Sequence, residues 1–200
     1  MSAIEIREAM MCDARGVADV HVRSWQSAYR GLIADDVLSA LSVERRTERW
    51  AGWIAASLAG EVTDGQGVVS KGASSHRMVV AVAGDRIVGW ATFGPGRDAG
   101  SDSLGELAGL YVDPNFWSQR IGFALISRVE SELGAAGFGA AYLWVLDGNE
   151  RASQFYARLG WQADGVEKFG DAGDLTGLHE RRHVKRLTPS LSAIGRDSTG

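Results

Sequence analysis

Most of the side chains able to do chemistry fall in two short stretches. The first runs Leu110-Tyr111-Val112-Asp113-Pro114-Asn115-Phe116-Trp117-Ser118-Gln119-Arg120-Ile121-Gly122-Phe123-Ala124-Leu125. It reads as a strand, a turn at Asp113-Pro114, and a helix with the small residue Gly122 near its start. A helix N-terminus presents unpaired N–H groups and a partial positive charge. A phosphate or diphosphate suits such a place when side chains let the backbone approach. Gly122 leaves that room, and Ser118 and Arg120 add donors. By itself one glycine at such a junction is a common feature. The second stretch runs from Leu143 to Trp161 and puts Asn149 at a helix start, with Tyr156 seven residues, about two turns, later. Both then point into one cleft. Taken alone, Asn149 also reads as a helix cap and Tyr156 as a core aromatic.

The elements that must position these residues follow from periodicity. Ile4–Arg7 alternates like a strand, and Asp13 is expected to cap a helix carrying Val17, Val20, Ser24 and Ala28 on one face. Asp35–Leu41 and Val43–Leu58 read as helices, the latter with an apolar stripe of Trp50, Trp53, Ile54 and Leu58 that packs in the core. Gly60–Ser75 is polar and glycine-rich and reads as a loop. Met78–Ala83 and Arg86–Phe93 form a hairpin across Gly84-Asp85. Gly94-Pro95-Gly96 begins like a dinucleotide fingerprint, but no helix pattern follows it. Glu106–Val112 is a strand, and Ile121, Leu125, Val129 and Leu133 make one helix face. Ala140–Leu146 is an apolar run suited to a strand buried on both faces. Ala152, Phe155, Tyr156 and Leu159 stripe the helix after Asn149. Strands are expected at Glu167–Phe169 and Leu178–Leu187, and disorder from Thr188 to Gly200. The order implies one α/β domain with a mixed sheet.

Composition narrows the setting. The chain has 200 residues, 45% hydrophobic and 23% charged, with 21 basic against 25 acidic side chains and a formal charge of −4. That balance argues against bulk attraction to nucleic acid or anionic membranes. No segment approaches the roughly 18–20 apolar residues of a membrane helix. The one cysteine, Cys12, excludes an internal disulfide framework and fits a reducing cytoplasm.

The strand–Asp-Pro–turn–helix stretch and the segment Asn149-x-x-Ala152-x-x-Phe155-Tyr156-x-x-x-Gly160-Trp161 together resemble the GCN5-related N-acetyltransferases. Trp25-Gln26-Ser27-Ala28-Tyr29-Arg30-Gly31-Leu32 is similar to the first helix of many bacterial members. The resemblance spans Ile4–Leu187 and is strongest over Glu106–Trp161. It implies one N-acetyltransferase domain over residues 1–187 with a tail at 188–200, and a mixed, mostly antiparallel sheet flanked by helices. It implies acetyl-CoA as co-substrate, no metal, and an amine of a small molecule or protein as acceptor. Homodimers are frequent in such families. Carried over by position, Leu110, Tyr111 and Val112 pair with the pantetheine arm as an added strand, and Ser118, Gln119, Arg120, Ile121, Gly122 and Phe123 wrap the diphosphate. Asn149 bonds the pantetheine, and Tyr156 protonates the departing thiolate. Trp25 and Tyr29 line the acceptor pocket or pack in the core. The family's Gly-x-Gly-x-Gly is here Ser118, Gln119, Arg120, Ile121, Gly122, with only the last glycine kept. Amide donors do not need glycine where the backbone is helical, so binding is expected to survive.

A lysine-type amine, with a pKa near 10.4, must lose a proton before it attacks. Glu106 is the candidate base, acting through water, and the Val112 N–H is a candidate for stabilising the oxyanion if it is free of the sheet. Direct transfer is expected, because Cys12 lies far from these motifs. Two other readings compete. One is a catalytically silent acyl-CoA-binding module. The other is a zinc hydrolase built on His179-Glu180-Arg181-Arg182-His183, which matches H-E-x-x-H. On a strand those histidines sit about 13 Å apart, too far for one metal.

Overall fold

A computed structural model describes residues 3–60, 62–63, 69–70, 76–172 and 175–188. The chain runs β1 (Ile4–Glu8), α1 (Ala14–Ala28), α2 (Asp35–Ser39), α3 (Val43–Ala59), β2 (Val62–Thr63), β3 (Val69–Ser70), β4 (Arg77–Ala83) and β5 (Arg86–Pro95). It continues with β6 (Gly105–Val112), α4 (Ile121–Ala135), β7 (Ala140–Leu146), α5 (Glu150–Arg158), β8 (Gln162–Ala172) and β9 (Leu175–Arg186). Seven strands form one sheet in the order β1-β4-β5-β6-β7-β9-β8. Neighbours are antiparallel except β6 and β7, which are parallel.

Strand alternation explains the two layers of core. Val79 and Ala81 of β4 face α4, where Ile121, Leu125, Val129 and Leu133 are all at most 2% exposed. Met78, Val80 and Val82 face α1 and α3, against Val17, Trp50 and Ile54. A strand covered on both faces has no polar face to show, hence its unbroken apolar run. Burying each such Leu or Val contributes at most about 1.5–3 kcal/mol, and Leu125→Ala would cost about 2–5 kcal/mol.

The parallel pair is short, and this matters most for the site. β6 pairs with β7 only at Gly105–Leu107, opposite Ala141–Leu143. Beyond Leu107, β6 stays with β5 as far as Val112. β7 meanwhile follows β9 to Leu146. The two central strands therefore part, and a wedge opens in the middle of the sheet.

Three local expectations change. β8 and β9 are 11 and 12 residues long, well beyond the expected segments. β8 is exposed at every residue from Gln162 to Glu167, so its sequence carries no alternation to read. Within the glycine-rich stretch expected as a loop, Val62–Thr63 pairs with Val69–Ser70. The rest of it, apart from Gly60, lies outside the described residues, as does 189–200 of the expected tail. Asp13 stands at the start of α1 but does not cap it. Its carboxylate takes both guanidinium nitrogens of Arg7, at 2.6 and 2.9 Å, and the Met10 N–H at 2.7 Å.

Candidate active site

The wedge widens into a cleft of about 1020 Å³ that reaches from the β6–α4 junction to β9. Its two ends are made differently.

At the first end the backbone faces the opening. The Asp113 N–H bonds Val88 O at 2.9 Å. In an antiparallel ladder such bonds recur on alternate residues, so Gly109 and Tyr111 also bond β5, while the N–H and C=O of Leu110 and Val112 point away from it. Val112 O receives Ser24 Oγ at 3.0 Å and Trp117 Nε1 at 2.9 Å. The turn that follows is fixed by Asp113, which is 1% exposed, accepts from the Asn115 N–H at 2.9 Å and pairs with Arg23 at 3.0 Å.

Ser118 and Arg120 then adopt left-handed backbone, with φ of 64° and 62°. The condition of helical dihedrals, under which amide donors need no glycine, is thus not met at these two residues. These positions suit glycine, and a side chain there costs about 1–2 kcal/mol. The kink brings the chain into α4 with its first N–H groups facing the cleft. Gly122 is needed for closeness: a Cβ there would lie 3.2 Å from the Phe155 ring of α5. Arg151, also on α5, stacks over the Trp117 ring at 3.5 Å. A cation is thus delivered from the neighbouring helix to the loop.

At the second end side chains face the opening. Tyr156 is 8% exposed, and burial pushes its phenol far above the usual range, so it stays protonated. Asn149 lines the same cleft; its side-chain oxygen caps α5 through the Ala152 N–H at 3.1 Å, which leaves the amide nitrogen as a separate donor. The Tyr29 and Tyr111 hydroxyls lie 3.2 Å apart, and the Trp25 ring meets Tyr29 edge-on. Both Trp25 and Tyr29 line the cleft while packing against Ile33 and Leu38.

Glu106 is 4% exposed, and Arg97 grips both its oxygens, at 2.9 and 2.7 Å. Burial works against its charge, but the Arg97 bonds and charge, aided by His76, hold its pKa below the usual carboxylate range. His76 lies 3.6 Å away, is itself buried, and is pushed down to about 4 by burial and by Arg97. On the opposite wall stand Trp144, Lys168 and Glu180. Lys168 lies over the Trp144 ring at 4.1 Å.

The cleft thus gathers Trp25, Tyr29, Glu106, Leu110, Tyr111, Val112, Asn149 and Tyr156. From the loop and helix it also gathers Ser118, Arg120, Ile121, Gly122 and Phe123. Gln119 is turned outward, exposed and bonded to Asn115 O at 3.4 Å. Cys12 is exposed in the turn before α1 and is not part of the wall. The H-E-x-x-H segment lies on β9, where His179 and His183 share one face and Glu180 takes the other. His179 pairs with Glu167 at 2.9 Å and stacks on Phe169; His183 is buried against Arg181 O. Among the described residues no group of three or more His, Cys, Asp or Glu could hold a metal ion.

Sequence reasoning missed Arg97, Arg151, Lys168 and Glu180. For Glu180 a signal existed: on a strand it shares a face with the apolar Leu178, the face turned inward.

With this geometry in place, comparison with known proteins decides the family. The sequence pattern of the acetyltransferase (GNAT) family matches residues 46–161. The chain belongs to the GNAT acetyltransferases. This acetyltransferase is 29% identical over 149 residues to the uncharacterized N-acetyltransferase YuaI of Bacillus subtilis, covering 73% of each chain. Its fold is similar to that of the PaiA N-acetyltransferase of Thermoplasma acidophilum, solved with coenzyme A. There the TM-score is 0.71 at 18% identity, over 92% of this chain and 99% of that one. It is also similar to YncA, a putative acetyltransferase of Salmonella typhimurium solved with acetyl-CoA, with a TM-score of 0.62 at 17% identity, over 94% and 95%. Among the described residues no helix is long and apolar enough to cross a membrane.

Proposed function

We propose that this acetyltransferase moves the acetyl group of acetyl-CoA directly to a primary amine, with the cofactor lying along the parted edge of β6. The observation that carries this reading is the continuity of three features. The outward amides of Leu110 and Val112 run into the left-handed loop, and the loop into the N-terminus of α4. The pantetheine amides pair with that edge as an added strand. The amides from Ser118 to Phe123, at the positive end of α4, hold the diphosphate. Gly122 lets the backbone stay close, and Arg120 and Arg151 supply charge at the rim. Asn149 gives its amide nitrogen to the pantetheine chain.

Acetyl-CoA supplies an activated thioester whose carbonyl carbon the amine attacks. The Val112 N–H faces the place where charge grows on the carbonyl oxygen, and a fixed donor there lowers the barrier. Tyr156 faces the sulfur. Its pKa, raised by burial, lies above the roughly 8.5 of an alkyl thiol. It therefore acts first as a hydrogen-bond donor to the developing thiolate and passes its proton as the C–S bond opens. Cys12 lies away from the cleft, in keeping with direct transfer. Glu106, bound on both oxygens by Arg97, shapes the floor and is a weak proton acceptor in that state. Trp25 and Tyr29 form the wall against which the acceptor rests. A single cysteine, exposed, supports a reducing cytoplasm as its setting.

Thiol release from acetyl-CoA, measured against a panel of small amines, peptides and aminoglycosides, tests the reading. At least one amine is expected to raise thiol release above its hydrolytic background and to yield the N-acetyl product. Tight coenzyme A binding with no product from any amine would favour the silent binding module instead.

A further inference from the structure

With Glu106 committed to Arg97, the cleft has, among the described residues, one other carboxylate on its wall, Glu180. It sits on β9 opposite Leu146, the last residue of β7, and opposite Lys168 of β8. His179 and Arg181 point to the other face, where both pair with Asp147 and Glu167. Glu180 is thus the residue of that segment turned into the wedge, with its side chain 25% exposed.

The groups around it can be named element by element. Lys168 of β8 is 3.9 Å away, and its ammonium is shared with Asp98, from the β5–β6 connection, at 3.5 Å. Glu106 of β6 lies farther off and is neutralised by Arg97. Tyr111 of β6 and Tyr29 of α1 bring hydroxyls, and Tyr29 feels both Tyr156 of α5 and Glu180. Two carboxylates sharing one ammonium leave a surplus negative charge beside the cleft. A cation settles there more readily than an anion.

We propose that Glu180 receives the acceptor as an ammonium ion and takes its proton, so that Glu180 and Tyr156 serve the two proton movements from different walls of the cleft. The inference rests on the N-acetyl-transfer reading above. One ammonium N–H passes its proton to a Glu180 oxygen, and the freed lone pair forms the N–C bond. As the C–S bond breaks, the thiolate takes a proton from Tyr156, which is made good by the second proton lost from the nitrogen. Overall one proton is released, and the partly exposed Glu180 can return it to water. Burial, and then repulsion from Asp98 and Glu106, raise the Glu180 pKa against the pull of Lys168. That shift brings it closer to a working pH near neutrality, the direction a proton acceptor needs.

The test uses the full chain and the best amine of the panel. Glu180→Gln is expected to lower kcat/KM on the order of a hundredfold at neutral pH. It should replace the acid limb set by Glu180 with a fall that follows the amine's own, higher pKa, so that raising the pH restores part of the loss as more amine is already free. Coenzyme A affinity should stay within about twofold, and Glu180→Asp should recover part of the rate. A Glu180→Gln enzyme with unchanged kcat/KM and an unchanged acid limb would overturn the inference and leave N-acetyl transfer standing. Loss of coenzyme A binding in that variant would also overturn it, in favour of a structural role. If the unaltered protein acetylates no amine, the parent reading falls and this one with it.

Discussion

Where β6 runs into α4, the groups facing the cleft are main-chain amides, held by a kinked loop and by the buried Asp113. Where β6 and β9 face each other, they are side chains from α1, β6, β7, α5, β8 and β9 and from the connection after β5. On the function proposed above, the first end recognises a constant part of the substrate pair with a surface that most side-chain changes leave in place. On the same proposal the second end must match one acceptor, with side chains from separate elements that can be changed one at a time. A fold can therefore keep its cofactor and change its acceptor without rebuilding its frame.

This contrast can be broken in order of expected effect. Arg97→Met leaves a buried carboxylate without its cation, and stability at neutral pH should fall by about 3 kcal/mol in denaturant unfolding. The low end of the usual range applies because Arg97 is 36% exposed. The pH dependence should also invert. In the unaltered protein the Glu106 pKa is lowered on folding, so its contribution is present above the unfolded value, about 4.3, and is lost as pH falls through the folded value. Without Arg97, burial raises the folded value, so the variant should lose stability as pH rises from about 4 to 7. The gap to the unaltered protein should therefore be narrowest near pH 4.

Tyr156→Phe should lower turnover about a hundredfold, or about 2.7 kcal/mol, while calorimetry finds coenzyme A affinity nearly unchanged. Equal turnover would remove Tyr156 from its role at the sulfur. Gly122→Val acts at the other end. Its branched side chain meets Phe155, and the dissociation constant for coenzyme A should rise about tenfold, with kcat at saturation preserved. The smallest effect is expected from Ser118→Gly. Relief of the left-handed backbone should offset the added freedom of the unfolded chain, giving a gain of at most about 1 kcal/mol by thermal unfolding. A clear loss would show that the Ser118 side chain holds the loop.

The same contrast explains what could be read without coordinates. The cofactor end lies within consecutive residues, so Asp113-Pro114 and Gly122 show themselves through local spacing, as do Asn149 and Tyr156 of the second end, seven residues apart on one helix. Helix α4 announces itself because Ile121, Leu125, Val129 and Leu133, buried on one face, repeat every fourth position. The acceptor end is assembled from residues 29, 97, 106, 144, 168 and 180, which no local pattern connects. Glu106 was visible as a strand carboxylate, but its partner Arg97 sits in a glycine-rich connection with no periodicity. Glu180 was hidden inside a metal-like motif, and only the strand assignment shows that it parts company with His179 and His183. The left-handed loop stayed hidden too, because Ser118 and Arg120 do not advertise positive φ as glycine does.

Amide hydrogen exchange with and without coenzyme A tests the central claim most directly. Binding should slow exchange at Leu110 and Val112 and across the amides from Ser118 to Phe123, with little change along β8. Unchanged exchange at those amides in the fully bound protein would contradict the account.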